Sequence, residues 1–335
     1  MMKKLIVVFL AICIIIVSFT IIPACVNTSK SVKSVSLTQN TISKTTIASQ
    51  KTNKPQYTYD SKTRTLTISI KGEMNETPWE HIKHPEHIVL KKGVTSICDY
   101  GFGFVREGNT GKRQNYNDRI KTIRISDTVK TIGNDAFSYC KKLNKINLPK
   151  IIKSIGEKAF SNCKSLKSIK LPYSLKTIHY GTFEDCINLK TVKFNKKLKE
   201  IGESAFFNCE KLTEVNLPSS LTTIEDSAFL NCYSLEKVTM RGDLRTINDS
   251  SFMRCKKLSK VKLSRKIQEI KSWAFMSCSK LKMITIPKSV QKIEDEALGY
   301  KDEKVKIKGF TIKGYKGTAA EDYAKKNKFK FVALD

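Results

Sequence analysis

The chain has 335 residues with 61 Lys+Arg against 31 Asp+Glu, a formal net charge of +30 at pH 7, and 40% hydrophobic residues. That apolar share is ample for a packed core and excludes a chain disordered throughout, while the basic surplus favours polyanionic neighbours such as acidic glycans, teichoic acids, anionic lipid or nucleic acid. The plain alternative for the charge is a Lys- and Ile-rich composition set by codon usage.

Residues 1–24 read as an export signal: Met1-Met2-Lys3-Lys4 is a short basic start and Leu5 to Ile22 an apolar run. The junction Ile22-Pro23-Ala24-Cys25 resembles a bacterial lipobox, in which the cysteine is acylated. Three outcomes stay open: a lipoprotein anchored at Cys25, release after Ala24, or an uncleaved membrane segment. Two acyl chains on Cys25 would suffice for stable anchoring. Each outcome places the remainder outside the cytoplasm. Residues 25–56 are Ser, Thr, Lys and Asn with few aliphatics, a composition that cannot offset ordering entropy, and are expected to be a disordered tether.

Residues 57–92 are expected to form an amino-terminal cap. Thr63 to Ile70 alternates like a strand, and Trp79 offers an apolar plate to the open end of a core. His81, His84 and His87 invite a metal reading, but Pro85 disfavours the helix that would align the first two, and a polar cap surface is the competing account.

From residue 93 to 308 a period of 23 residues governs the chain. Phe137, Phe160, Phe183, Phe206, Phe229, Phe252 and Phe275 recur in step, and three residues after each stands Cys140, Cys163, Cys186, Cys209, Cys232, Cys255 or Cys278. The Ile column Ile132 to Ile293 and the strand pairs from Ile146/Leu148 to Ile284/Ile286 keep the same register, with Phe194 standing in one leucine position. One such coil cannot shield its own apolar side chains, so neighbours must stack into a common core. An insertion at 103–117 predicts a surface loop. After Leu298 the period fades, and 309–335, with a helix-like stretch from Thr318 to Asn327 and a closing strand from Phe329, is expected to be the carboxy-terminal cap.

The unit Leu143-x-x-Ile146-x-Leu148-Pro149-x-x-Ile152-x-x-Ile155-Gly156-x-x-Ala159-Phe160-x-x-Cys163 resembles that of the BspA-like bacterial leucine-rich repeats, over about 240 residues from Gly93 to the end. The resemblance implies a curved, right-handed repeat solenoid, with a parallel β-sheet on one face and irregular or short helical turns on the other. It also implies a surface or secreted protein that acts in adhesion and binding, with repeats that are not catalytic.

The cysteine column admits a disulfide framework, a metal ladder or buried filler. Parallel side chains about 5 Å apart suit disulfide geometry poorly. Seven is odd and no Cys-x-x-Cys occurs, so small, apolar filler is the expectation. His179 is the one histidine of the array, so no Ser-His-Asp or Cys-His set is assembled, and neither an enzyme nor a cofactor is expected. The candidate site is the outward side of the strands. Arg124, Lys145, Lys170, Lys193, Lys237, Lys260 and Lys262 stand there in adjacent rows that could follow an extended polyanion. That side lacks aromatics for base stacking, so no dedicated nucleic-acid site is expected. The leading reading is an adhesion protein, monomeric, for a surface protein or acidic polysaccharide. The alternative is a surface scaffold whose partners meet the turns or the 103–117 loop.

Overall fold

The structure is a computed structural model that describes residues 57–77, 79, 82, 85–103, 105, 106, 113, 114 and 117–335. The export segment, Cys25, the tether, His81 and His84 lie outside the described residues. The remainder is a parallel β-solenoid.

Each coil lays down two short strands on adjoining walls. In the coil that opens at Leu143 these are Lys145–Asn147 on a first wall and Ser154–Ile155 on a second. The central Ile146 and the final Ile155 turn inward because side chains alternate across a strand, and their neighbours face out. Pairing with the preceding coil is parallel and in step, Ile146 opposite Ile123 and Ile155 opposite Ile132.

The first wall is not one uninterrupted sheet. Thr65–Ile68, His87–Leu90, Thr122–Arg124 and Lys145–Asn147 form one run, edged by the antiparallel strand Tyr57–Asp60. Ser168–Lys170 pairs with Thr191–Lys193. Glu214–Asn216, Lys237–Thr239 and Lys260–Lys262 form the third group, and Met283–Thr285, Thr311–Gly314 and Lys330–Ala333 the last. The wall thus extends in register into both segments expected to be caps.

A column of aromatic rings runs through the core. The seven repeat phenylalanines stack at centroid separations of 5.1–5.5 Å, with ring planes within 20° of parallel. Phe102 and then Trp79 extend the column at 5.7 and 5.6 Å. Because every ring is covered on both sides by its neighbours, truncation of one removes packing from three coils.

The third wall is made of turns, with no helix among its described residues. Each turn places residues in the left-handed region, among them Asn162 (φ 59°), Asn208 (φ 56°) and Asn231 (φ 63°), a conformation that Asn tolerates better than most residues. Their amides form a side-chain ladder, Asn162 and Asn208 donating to Asp185 and Asn231 to Asn208. Gly156 is required by close approach, since a Cβ there would lie 2.6 Å from the backbone nitrogen of Asn134 one coil back.

The seven repeat cysteines, Cys140 to Cys278, are free and buried. Beyond filling space, each of the seven thiols donates to the carbonyl of the phenylalanine one coil back, at 3.2–3.4 Å, from Cys140 to Phe102 through Cys278 to Phe252. The thiol is therefore a satisfied donor inside the core. Burial pushes the acidity of Cys163 and Cys209 far toward the protonated form, which keeps that donor in place.

At the carboxy-terminal end the helix Ala319–Lys326 covers the last coil. Phe275 donates its backbone N–H to Ala297 of the following coil, whereas the backbone N–H of Leu298 donates to the Tyr323 hydroxyl, which donates in turn to the Leu298 carbonyl. One phenol thus replaces both the backbone rung and the thiol that another coil would have supplied. In the 103–117 insertion, Val105–Arg106 and Arg113–Gln114 pair antiparallel, and Asn117 donates to the Gly103 carbonyl at its base.

Candidate functional site

Lys170 lies directly opposite Lys193, Lys237 opposite Lys260, and Thr239 opposite Lys262, in adjacent parallel strands. Arg124 stands beside Asn147, and Lys145 beside Thr122. All seven basic candidates are exposed. They are not electrostatically alike. Lys237 is ion-paired at 2.7 Å to Glu214, one rung away, which holds that carboxylate below its ordinary range. The expected stripe of Lys237, Lys260 and Lys262 is therefore partly neutralised at its start. Thr239, on the outward side of its strand, is 7% exposed, because its short branched side chain sits between the longer Asn216 and Lys262.

A shallow groove lies over the paired strands Ser168–Lys170 and Thr191–Lys193 and reaches Asn216 across the interruption of the first wall. Val192 and Phe194 are half-buried along it, Lys170 and Lys193 flank it, and Asn216 closes one end. Phe194 fills a position that is leucine in neighbouring coils and packs edge-on against Phe206 at 5.9 Å. The sequence signal for the groove was this one bulky ring in an aliphatic column, and periodicity alone does not say that a ladder parts there.

The second wall carries a basic row absent from the candidate set. Lys130, Lys153, Lys176 and Lys199 occupy one column, each exposed just before the two-residue strand that ends on the inward isoleucine. Lys153 donates its backbone N–H to Lys130, and Lys199 to Lys176, at 2.8 and 2.7 Å. Its signal in the sequence is a lysine every 23 residues, outside the outward rows of the first-wall strands.

The turn wall carries acidic side chains interspersed with basic ones. Asp135 is held up to about 6 chiefly by burial, and burial also raises Glu184, Glu203 and Asp249, with Asp226 adding repulsion to the latter two. Among the described residues no three His, Cys, Asp or Glu gather as a metal-ligand set. His87 instead pairs its Nδ1 with the Thr122 hydroxyl at 2.7 Å. No helix among the described residues is long and apolar enough to cross a membrane.

Parallel strands on two walls, a turn wall and one continuous core define a leucine-rich type of solenoid. The profile of the BspA type leucine rich repeat region matches six copies across residues 109–233 and 178–305, more than half of the chain. The chain belongs to the BspA-type leucine-rich repeat family. Among solved structures it is similar to a leucine-rich repeat protein of Bacteroides ovatus, at 18% identity and TM-score 0.44, covering 84% of this chain and 98% of that one. A leucine rich cell surface protein of Faecalibacterium prausnitzii matches at 18% identity and TM-score 0.39, over 87% of this chain and 96% of that one. The pneumococcal vaccine antigen PcpA matches at 15% identity and TM-score 0.39, over 85% and 98%. No curated protein matches in sequence.

Proposed function

We propose that the protein is a non-enzymatic binding protein of the cell surface, held through Cys25 or its amino-terminal segment, that adheres to a protein or acidic glycan by the basic outward side of its first wall. The observation that carries this reading is the groove beside Lys170 and Lys193, two opposed lysines that no carboxylate neutralises, over a partly exposed apolar floor of Val192 and Phe194. A floor that excludes water and walls that carry charge suit an extended acidic ligand. Among the described residues the repeat brings no nucleophile, base and orienting group together, and its one histidine, His179, stands alone, which favours binding over catalysis.

The full-length protein on an array of glycans and extracellular-matrix proteins tests this. Binding to at least one acidic spot is expected, with most of it lost when Lys170, Lys193, Lys237 and Lys262 are replaced by Ser. No binding, or binding indifferent to that replacement, would remove the first wall as the adhesive surface. Detergent-phase partitioning of the wild type and Cys25→Ala, produced in a bacterium with lipoprotein machinery, tests the anchor, and equal partitioning of the two would rule out acylation at Cys25.

A further inference from the structure

Over the two strand walls and the corner between them, residues 143–155, 166–178 and 189–201 carry eleven lysines and one carboxylate, Glu200. All eleven lysines are exposed. Among the described residues, none of the ion pairs involves any of them. Like charges on facing positions of adjacent strands repel, so three consecutive coils carry a cost that a polyanion would relieve, offset in part only at Lys199, which acts on Asp243 and stands beside Glu200.

The arrangement is most regular on the second wall. The row from Lys130 through Lys153 and Lys176 to Lys199 advances by one strand spacing per coil, about 4.8 Å, so four ammonium groups span about 15 Å along the solenoid axis. Beside the row, on the corner, stand two exposed apolar side chains, Ile151 at 41% and Tyr173 at 54% exposure. The Lys197 ammonium lies over the Tyr173 ring, 4.6 Å from its centroid, which fixes a charge against an apolar plate.

We infer that this corner and second wall form a binding site for a linear sulfated glycan, laid across the coils with its sulfates on the row Lys130, Lys153, Lys176 and Lys199 and a sugar ring against Tyr173. The site rests on the adhesion reading for its ligand class, but it lies on a different wall from the groove. Each ammonium offers three donors without fixed directionality, which suits sulfates of variable spacing. Binding of single-stranded nucleic acid without sequence preference uses successive stacking platforms, and the corner presents one ring, so a glycan is the better fit.

Fluorescence polarisation of the full-length protein with labelled heparin octasaccharide, across a range of salt, tests the site. Relative to wild type, K153Q/K176Q/K199Q should bind at least about tenfold more weakly, with the slope of log affinity against log salt shallower by about one per lysine removed. K153R/K176R/K199R should retain binding, Tyr173→Ala should lose several-fold, and thermal unfolding should show each variant folded. Loss that follows K170Q/K193Q and spares the triple Gln variant overturns this inference and leaves adhesion through the groove standing. Wild-type binding to a matrix protein with no affinity for heparin does the same. Absence of both kinds of binding sinks the two readings together. Tighter binding of a single-stranded DNA of equal charge overturns the glycan assignment.

Discussion

The coils between Leu143 and Ile201 and those between Leu212 and Ile270 have the same strands, the same buried columns and the same thiol ladder, yet they present different electrostatics. On the strand walls and corner, the first three coils carry eleven basic residues against one acidic, and the next three carry seven against four. In the second group Glu214 pairs with Lys237, and Asp243 with Lys266. Shortly beyond it, Lys292 bridges Glu269 and Glu294. A repeat fixes where an outward side chain stands. The residue one rung away decides whether its charge remains available. Basic composition is thus a poor guide to a binding surface, and the absence of a carboxylate on the neighbouring coil is a better one.

The largest expected effect concerns what the two groups share. Phe183→Ala and Phe252→Ala, one in each group, should each cost about 3–5 kcal/mol in urea denaturation, as full truncation of a buried ring does. Costs differing by more than about 2 kcal/mol between the two sites would show that the core is not the common element claimed for it.

Next in size is a pH effect from the turn wall. Asp135 has a folded-state value of about 6, above the ordinary carboxylate value of 3.8. Between those two values the folded chain keeps a proton that the unfolded chain releases, so this group adds stability as pH falls from 6 toward 4 and withdraws it as pH rises. Comparing wild type with Asp135→Asn by thermal unfolding at pH 7 and pH 4.5, wild type should gain on the variant by an amount on the order of 1–2 kcal/mol at the lower pH. A gap independent of pH would mean that Asp135 titrates normally.

Smaller changes are expected from making the groups resemble each other. Lys193→Glu places a carboxylate opposite Lys170, as Glu214 lies opposite Lys237. It should weaken polyanion binding by about tenfold, since it removes one attraction and blocks another. Glu214→Gln should do the reverse and strengthen binding about twofold by freeing Lys237. If both leave heparin affinity unchanged, neutralisation is not what separates the two groups. The thiols supply the control for their common interior: titration of the denatured, unreduced protein should recover all seven ladder cysteines, and pairing of most of them would contradict the ladder.

Much of this architecture was legible because a 23-residue period writes the core directly into the chain. A ring, a thiol and an isoleucine that return in step can share an interior only by stacking coil on coil. Trp79 and Phe102 joined the aromatic column although they fall outside the regular period, because irregular coils still deliver one ring per turn. Tyr323 could not be recognised as the group that closes the last coil, since its partner Leu298 is 25 residues away and outside any repeat relation. The interruptions of the first wall were equally illegible, since they fall after Leu148 and Leu263 as well as after Phe194.

The amino-acid sequence by itself determined the repeat, the inward columns and the rows of lysine, since each depends only on side-chain polarity at fixed intervals. Tertiary structure alone decided that the thiols donate to the preceding phenylalanines, that Lys237 is neutralised while Lys170 and Lys193 are not, and that a groove opens beside Phe194. Those outcomes depend on distances between coils, and a contact of about 3 Å is made or lost by shifts far smaller than a periodic pattern can encode.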